Sequence, residues 1–184
     1  MRRVRYQVAC SLDGFIAGTR DDFDWIIPEP AFNFEAHFAQ FDTLLMGRRT
    51  YEIARSIEGS FIGKKVIVAS QSLRQQDHPN VEVIGEGLEA RIRELRSQPG
   101  RDIWLYGGGK LFAQLLEWNL VDTVEPAIIP ILLGEGIPFL RSQGIRRNLT
   151  LKKQRVYPTG MILLEYEVKK GKKGELLNDI LPLK

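Results

Sequence analysis

Two short stretches carry residue types suited to gripping a phosphorylated ligand. The first is Tyr106-Gly107-Gly108-Gly109-Lys110-Leu111. Glycines let a backbone approach a diphosphate closely. A helix starting behind them offers unpaired N–H groups and the positive end of its dipole. The second is Gly47-Arg48-Arg49-Thr50. Two arginines at a helix start oppose the dipole unless an anion sits nearby. Each stretch also has a plainer use. Glycines make a tight turn, Thr50 can cap a helix, and Ser70 can close a turn. The glycine run is not a Walker loop, because Trp104 stands where that motif needs its first glycine and Leu111 where it needs Ser or Thr. Nor is it Gly-x-Gly-x-x-Gly.

Both stretches come directly after short, nearly continuous apolar runs: Thr43–Met46 and Ile103–Tyr106, with a third at Val66–Ala69. Such runs read as strands buried on both faces. Val4–Ala9 and Val81–Ile84 are further strands. Amphipathic spacing predicts helices over Ala31–Gln40 (Phe34, Phe38 and Phe41 on one face), Arg49–Ile57, Leu88–Ser97 and Lys110–Trp118. The last third, Val121–Pro130, Leu149–Tyr157 and Met161–Val168, reads as strands alone, with Pro158-Thr159-Gly160 as a tight turn. The expected fold is α/β: a three-layer α-β-α arrangement around a mostly parallel mixed sheet, finished by a C-terminal antiparallel hairpin. Open parallel sheets bind ligands at the carboxyl ends of their strands. That rim collects the Cys10–Gly18 loop, Gly47–Thr50, Ser70 and Gly107–Lys110.

The length of 184 residues suits one domain, placed over 1–168. Residues 169–184 hold five lysines against Glu175 and Asp179, which accounts for the whole formal charge of +3. A basic solvated tail is the expectation there, with no nucleic-acid partner. Cys10 is the only cysteine, so an intrachain disulfide and a thiolate metal cluster are excluded. This fits a reducing cytoplasm. The longest apolar stretch, Ala127–Leu133, is too short to span a bilayer and contains Pro130.

In order and spacing, Ser11–Ala17, Asp24-Trp25, Leu45–Glu52, Tyr106–Leu111, Leu120-Val121-Asp122 and Pro130–Gly136 resemble the dihydrofolate-reductase-like family. They resemble most its riboflavin-biosynthesis branch, the RibD C-terminal reductase domain. The resemblance implies NADPH as hydride donor and a small pyrimidine- or pterin-like substrate. Ala9 and Ile16 match positions flanking the nicotinamide. Gly47, Arg48, Arg49 and Thr50 match the side holding the 2′-phosphate, adenine and pyrophosphate, and Ser70 matches a 2′-phosphate contact. Gly107, Gly108, Gly109, Lys110 and Leu111 match the pyrophosphate turn. Phe112 matches a tyrosine near the nicotinamide. A homodimer paired through the terminal hairpin is implied by the same likeness.

The substrate side departs from true dihydrofolate reductases. Their first-loop acid falls five positions after Trp25, where this chain has Pro30. Glu35 or His37 can replace it, or both simply face solvent. Asp13 either shapes its loop or acts in catalysis. The zinc motifs of the deaminase half, His-x-Glu and Pro-Cys-x-x-Cys, are absent. The expected activity is reduction of 5-amino-6-(5-phosphoribosylamino)uracil. The alternatives are a pterin reductase and a non-catalytic nucleotide-binding protein.

Overall fold

The computed structural model describes residues 1–141, 144 and 146–171. Its elements run β1 (Val4–Ser11), β2 (Phe15–Ala17), α1 (Phe34–Phe38), β3 (Phe41–Gly47), α2 (Arg48–Ala54), β4 (Lys65–Ala69), β5 (Glu82–Ile84), α3 (Leu88–Ser97), β6 (Asp102–Gly107), α4 (Gly109–Glu117), β7 (Thr123–Ile129), β8 (Ile137–Pro138), β9 (Leu149–Val156) and β10 (Ile162–Val168). The main sheet has the order β5-β4-β3-β6-β1-β7-β10-β9. From β5 to β7 the neighbours are parallel, and β7-β10-β9 is antiparallel. The expected parallel sheet with a terminal hairpin is therefore the observed one. The hairpin turn closes where Tyr157 N–H donates to Met161 O at 2.9 Å, and Gly160 takes the left-handed φ of +86° that turn needs.

Helices cover both faces. On one side α3 contributes Leu88, Ile92 and Leu95, and α4 contributes Leu111, Phe112, Leu115 and Leu116, against Val4, Tyr6, Ile103 and Leu105. On the other side Phe38 and Tyr51 pack over Leu44, Met46, Val66, Val68 and Trp104. Ile92 and Leu115 are fully buried, which stabilises the fold by about 1.5–3 kcal/mol each. The α3 span matches the sequence expectation because its leucine–isoleucine stripe alternates cleanly with charge.

Three local expectations change. The helix predicted over 31–40 is only Phe34–Phe38, capped by Asn33, whose Oδ1 accepts from Ala36 N at 2.8 Å. Pro28 and Pro30 hold the preceding chain out of helical geometry, and Phe41 is drawn into β3. Phe34 is consequently exposed, and the buried residue of α1 is His37. A two-stranded ribbon, β2 with β8, pairs Phe15 with Pro138 and Ala17 with Ile137. Neither strand is long enough to show a period. Third, the basic segment starts inside the fold. Lys170 Nζ donates to Asn119 O at 3.0 Å and to Asp122 at 3.1 Å, and Gly171 pairs in both directions with the Asn119 side chain. The remainder of that segment, 172–184, lies outside the described residues. Among the described residues no helix is long and apolar enough to cross a membrane.

Candidate active site

The sheet order puts the carboxyl ends of β4, β3, β6 and β1 side by side. The segments that leave β3, β6 and β1 meet one another, while Ser70 N, after β4, donates to Ile84 O on the β5 side. A Cβ placed on Gly107 or Gly108 would stand 3.6 Å from Thr50 Oγ1, and on Gly108 also 3.9 Å from Ile16 Cδ1. Thr50, Ile16 and the first two glycines thus face one narrow gap, though they come from three separate segments of the chain. Gly107 has φ of +139°, and the Gly107–Gly108 peptide is cis. Gly108 caps α4 with no side-chain hydrogen bond, and no acidic residue occupies the first turn. The uncapped N–H groups and the dipole make that turn receptive to an anion. Lys110 is exposed beside it, whereas Leu111 is buried and offers only backbone.

Gly109 does something different. A Cβ there would lie 2.5 Å from Pro138 O and 2.9 Å from Phe139 O, and Gly109 O accepts from Arg141 N at 3.2 Å. Its bareness lets the 138–141 segment lock onto the α4 start. Gly109→Ala is expected to destabilise the protein by about 1–3 kcal/mol through forced backbone movement, read as a lower urea midpoint. Gly47→Ala is the control, because a Cβ there meets nothing within 4 Å and φ is −80°.

Arg48 and Arg49 open α2 behind Gly47 as expected, and Thr50 is the third helical residue rather than the cap. Each arginine already has a carboxylate: Arg48 NH1 meets Glu52 at 3.2 Å, and Arg49 Nε meets Asp21 at 2.6 Å. These carboxylates offset the unfavourable placement of the two arginines at the positive end of the helix dipole. Both pairs are solvent-exposed, a setting in which ion pairs contribute about 0–1 kcal/mol. Ser70 Oγ accepts from Ser72 N at 3.2 Å and Leu73 N at 3.1 Å, so it shapes a turn and keeps only its proton to donate.

Beside this gap the middle of the sheet is uncovered. Val8 and Ala9 of β1 and Pro126, Ala127 and Ile128 of β7 are half-buried, although both strands are central. Ala9 pairs with Ala127. Trp25, Ile26, Phe32, Tyr157 and Leu163 pack with Ala9 and Ala127 on one face, forming the walls of a cleft, whereas Val8 points to the core on the other face. Phe112 is 2 % exposed and stacks on Tyr6 at 3.8 Å, so it fills the core instead of facing the cleft.

The acid candidates separate. Asp13 accepts from Leu133 N at 3.1 Å and Gly134 N at 2.7 Å. The Ser11 hydroxyl and then the Gly134 N–H hold its carboxyl below the usual range. It ties two loops together as an anion. Glu35 is exposed. His37, expected with Glu35 to face solvent, is instead buried between Phe32, Phe41 and Trp104. Burial first, then the Arg5 charge, lowers its pKa to about 4 against an opposing pull from Glu125. A histidine depressed from 6.5 in the unfolded chain stabilises the fold fully above about pH 6.5, and the contribution falls away as pH drops toward 4. The loss is expected to be on the order of 2–3 kcal/mol. It should show as a falling urea midpoint from pH 7 to pH 4 that flattens in His37→Phe. An equal slope in both proteins would remove His37 as its source.

Sequence reasoning missed the polar layer beneath the cleft. Arg5 Nε and NH2 donate to the two Glu125 oxygens at 2.7 Å each, Thr123 Oγ1 donates to Glu125 at 2.6 Å, and Arg5 NH1 donates to Gln40 at 2.7 Å. Polar residues at alternate positions of the apolar β1 run, Arg5 and Gln7, were the available signal.

A family model for the RibD C-terminal domain matches residues 2–163. The Bacillus subtilis (strain 168) uncharacterized protein YyaP is 30% identical over 178 residues, spanning 90% of this chain and 94% of that one. A solved candidate riboflavin biosynthesis protein from Shewanella sp. PV-4 superposes with a TM-score of 0.79 at 26% identity, covering 91% of this chain and 99% of that one. The Thermotoga maritima diaminohydroxyphosphoribosylaminopyrimidine deaminase/5-amino-6-(5-phosphoribosylamino)uracil reductase shares the fold, with a TM-score of 0.69 at 19% identity. It matches 91% of this chain, which spans 57% of that one. The chain belongs to the RibD C-terminal domain family, with its dihydrofolate-reductase-like α/β fold.

Proposed function

We propose that this chain is an NADPH-dependent reductase of the riboflavin-pathway type. Its substrate would be a pyrimidine like 5-amino-6-(5-phosphoribosylamino)uracil. The observation behind this reading is the meeting of Ile16, Thr50, Gly107 and Gly108 before the uncapped start of α4. That cradle fits a dinucleotide. Bound NADPH supplies the hydride. Gly107, Gly108 and the Gly109–Leu111 backbone bind the diphosphate, with Lys110 adding charge. Gly47, Arg48, Arg49, Thr50 and Ser70 hold the 2′-phosphate side. Ala9 and Ile16 flank the reacting ring, while Trp25, Phe32 and Tyr157 keep water from the cleft. Asp13 and Glu35 have no proton-transfer role in this scheme, because one is engaged as an anion and the other is exposed.

Titration with NADPH, followed by nicotinamide fluorescence, tests the cofactor. No binding at high micromolar nucleotide would overturn it. NADPH oxidation in the presence of the ribosylaminopyrimidine tests the substrate. Binding without turnover would leave a nucleotide-binding protein.

A homodimer belongs to the same proposal. Leu149, Leu151 and Val156 of the edge strand β9 are 43%, 46% and 71% exposed. The register sets them on the same face as Ile162, Leu164 and Tyr166. An apolar edge strand of this kind favours pairing with a second copy. Light scattering after size exclusion should show a dimer that Leu151→Lys with Val156→Lys converts to monomer. A monomeric wild type would remove the proposal. A single buried cysteine, Cys10, supports a reducing cytoplasmic setting.

A further inference from the structure

The polar layer under the cleft contains two side chains that its other members do not satisfy. Glu125 has both oxygens engaged by Arg5 and Thr123. Gln7 lies directly beside Glu125 in register on β1 and β7. Its Oε1 is buried with no hydrogen-bond partner, and so is His37 Nε2. The two residues are 7% and 8% exposed. Buried polar atoms in native proteins are nearly always partnered. Two orphans in one layer mark a place where another molecule's polar edge belongs.

Their placement ties them to the cleft. Trp104 Nε1 donates to Gln7 O at 2.8 Å, and the His37 ring stands edge-on to the same indole at 5.4 Å. Gln7 lies one strand repeat below Ala9, about 7 Å away. His37 touches the wall residue Phe32 at 5.4 Å. A carboxamide presents both an acceptor and a donor. Burial beside Arg5 keeps the imidazole uncharged near neutrality. With Glu125 committed to Arg5 and Thr123, the inner end of the cleft has, among the described residues, no free counter-ion for a ring that binds as a cation.

We propose that Gln7 and His37 are the specificity-determining residues of the cleft. They hydrogen-bond the amide edge, ring N–H and C=O, of an uncharged pyrimidinone seated over Ala9, and they select it over protonated rings. The inference rests on the reductase reading above and deepens it by naming the residues that choose the substrate.

The test is calorimetric titration of the NADPH-saturated full chain with two probes. One is 5,6-diaminouracil, an uncharged lactam, and the other is 2,4-diaminopyrimidine, which binds carboxylates as a cation. The wild type should prefer the uracil. Gln7→Leu and His37→Phe should each weaken it roughly tenfold or more, with NADPH affinity unchanged. The near-isosteric Gln7→Glu should shift preference toward the diaminopyrimidine, and it remains readable if Gln7→Leu folds poorly. Unchanged uracil affinity in Gln7→Leu and His37→Phe would overturn the proposal, as would a wild-type preference for the diaminopyrimidine. If NADPH itself fails to bind, the cofactor reading falls. The same titrations without nucleotide then still decide the role of Gln7 and His37.

Discussion

Replacing Glu125 with leucine is expected to destabilise the protein by about 3–5 kcal/mol. Arg5 is 5% exposed and lies in the middle of the sheet. Burial works to lower its pKa, but Glu125 overrides that and raises it. Without Glu125 the guanidinium keeps Gln40, the Phe41 ring at 4.7 Å and a long 3.4 Å contact to Asp102. None of these replaces a bidentate carboxylate. A buried charge without its partner is the costly state, whereas removing both partners is far milder. Arg5→Leu with Glu125→Leu should therefore recover most of the loss, because the added apolar groups suit a position under Phe41 and Trp104. Urea unfolding of the two single variants and the double variant measures the coupling. A loss below about 1 kcal/mol in Glu125→Leu would show that water reaches Arg5, and the dry polar layer would have to be abandoned.

The second large effect concerns nucleotide choice. Arg48→Ala with Arg49→Ala is expected to weaken NADPH binding by roughly 30- to 100-fold while leaving NADH nearly unaffected. Charge-assisted hydrogen bonds contribute about 1.5–3 kcal/mol each. The net effect is smaller here because both side chains must first leave Glu52 and Asp21. That competition gives a companion result: Asp21→Asn should tighten NADPH a few-fold by freeing Arg49. Asp21 holds a left-handed φ of +65°, which asparagine tolerates well. Fluorescence titration of both nucleotides at two salt concentrations measures this. Equal weakening of NADH and NADPH in the arginine double variant would place the arginines elsewhere than at a 2′-phosphate.

Local pattern carried much of the fold. Leu88–Ser97 reads as a helix because its apolar stripe and charges repeat within one element. The runs at 43–46, 66–69 and 103–106 read as buried strands because helices cover both faces of β3, β4 and β6. Pro158-Thr159-Gly160 announces its own turn. The rim pieces were legible for the same reason, since glycines and arginines directly after a strand can only stand at its carboxyl end.

The sequence by itself determined the α/β class, the terminal hairpin, the rim and the family likeness. The tertiary structure alone decided how the rim is used. It gave Gly109 a packing role that the glycine run alone does not reveal, because Pro138 and Phe139 press against it. It gave Arg49 a carboxylate 28 positions away and Arg5 one 120 positions away. It buried His37, which a helical wheel of α1 leaves undecided, and set Gln7 beside Glu125. The physical reason is the range of the signal. Periodicity tells a residue which face of its own element it occupies, while its partners depend on strand order and register, and those are settled only when distant segments pack together.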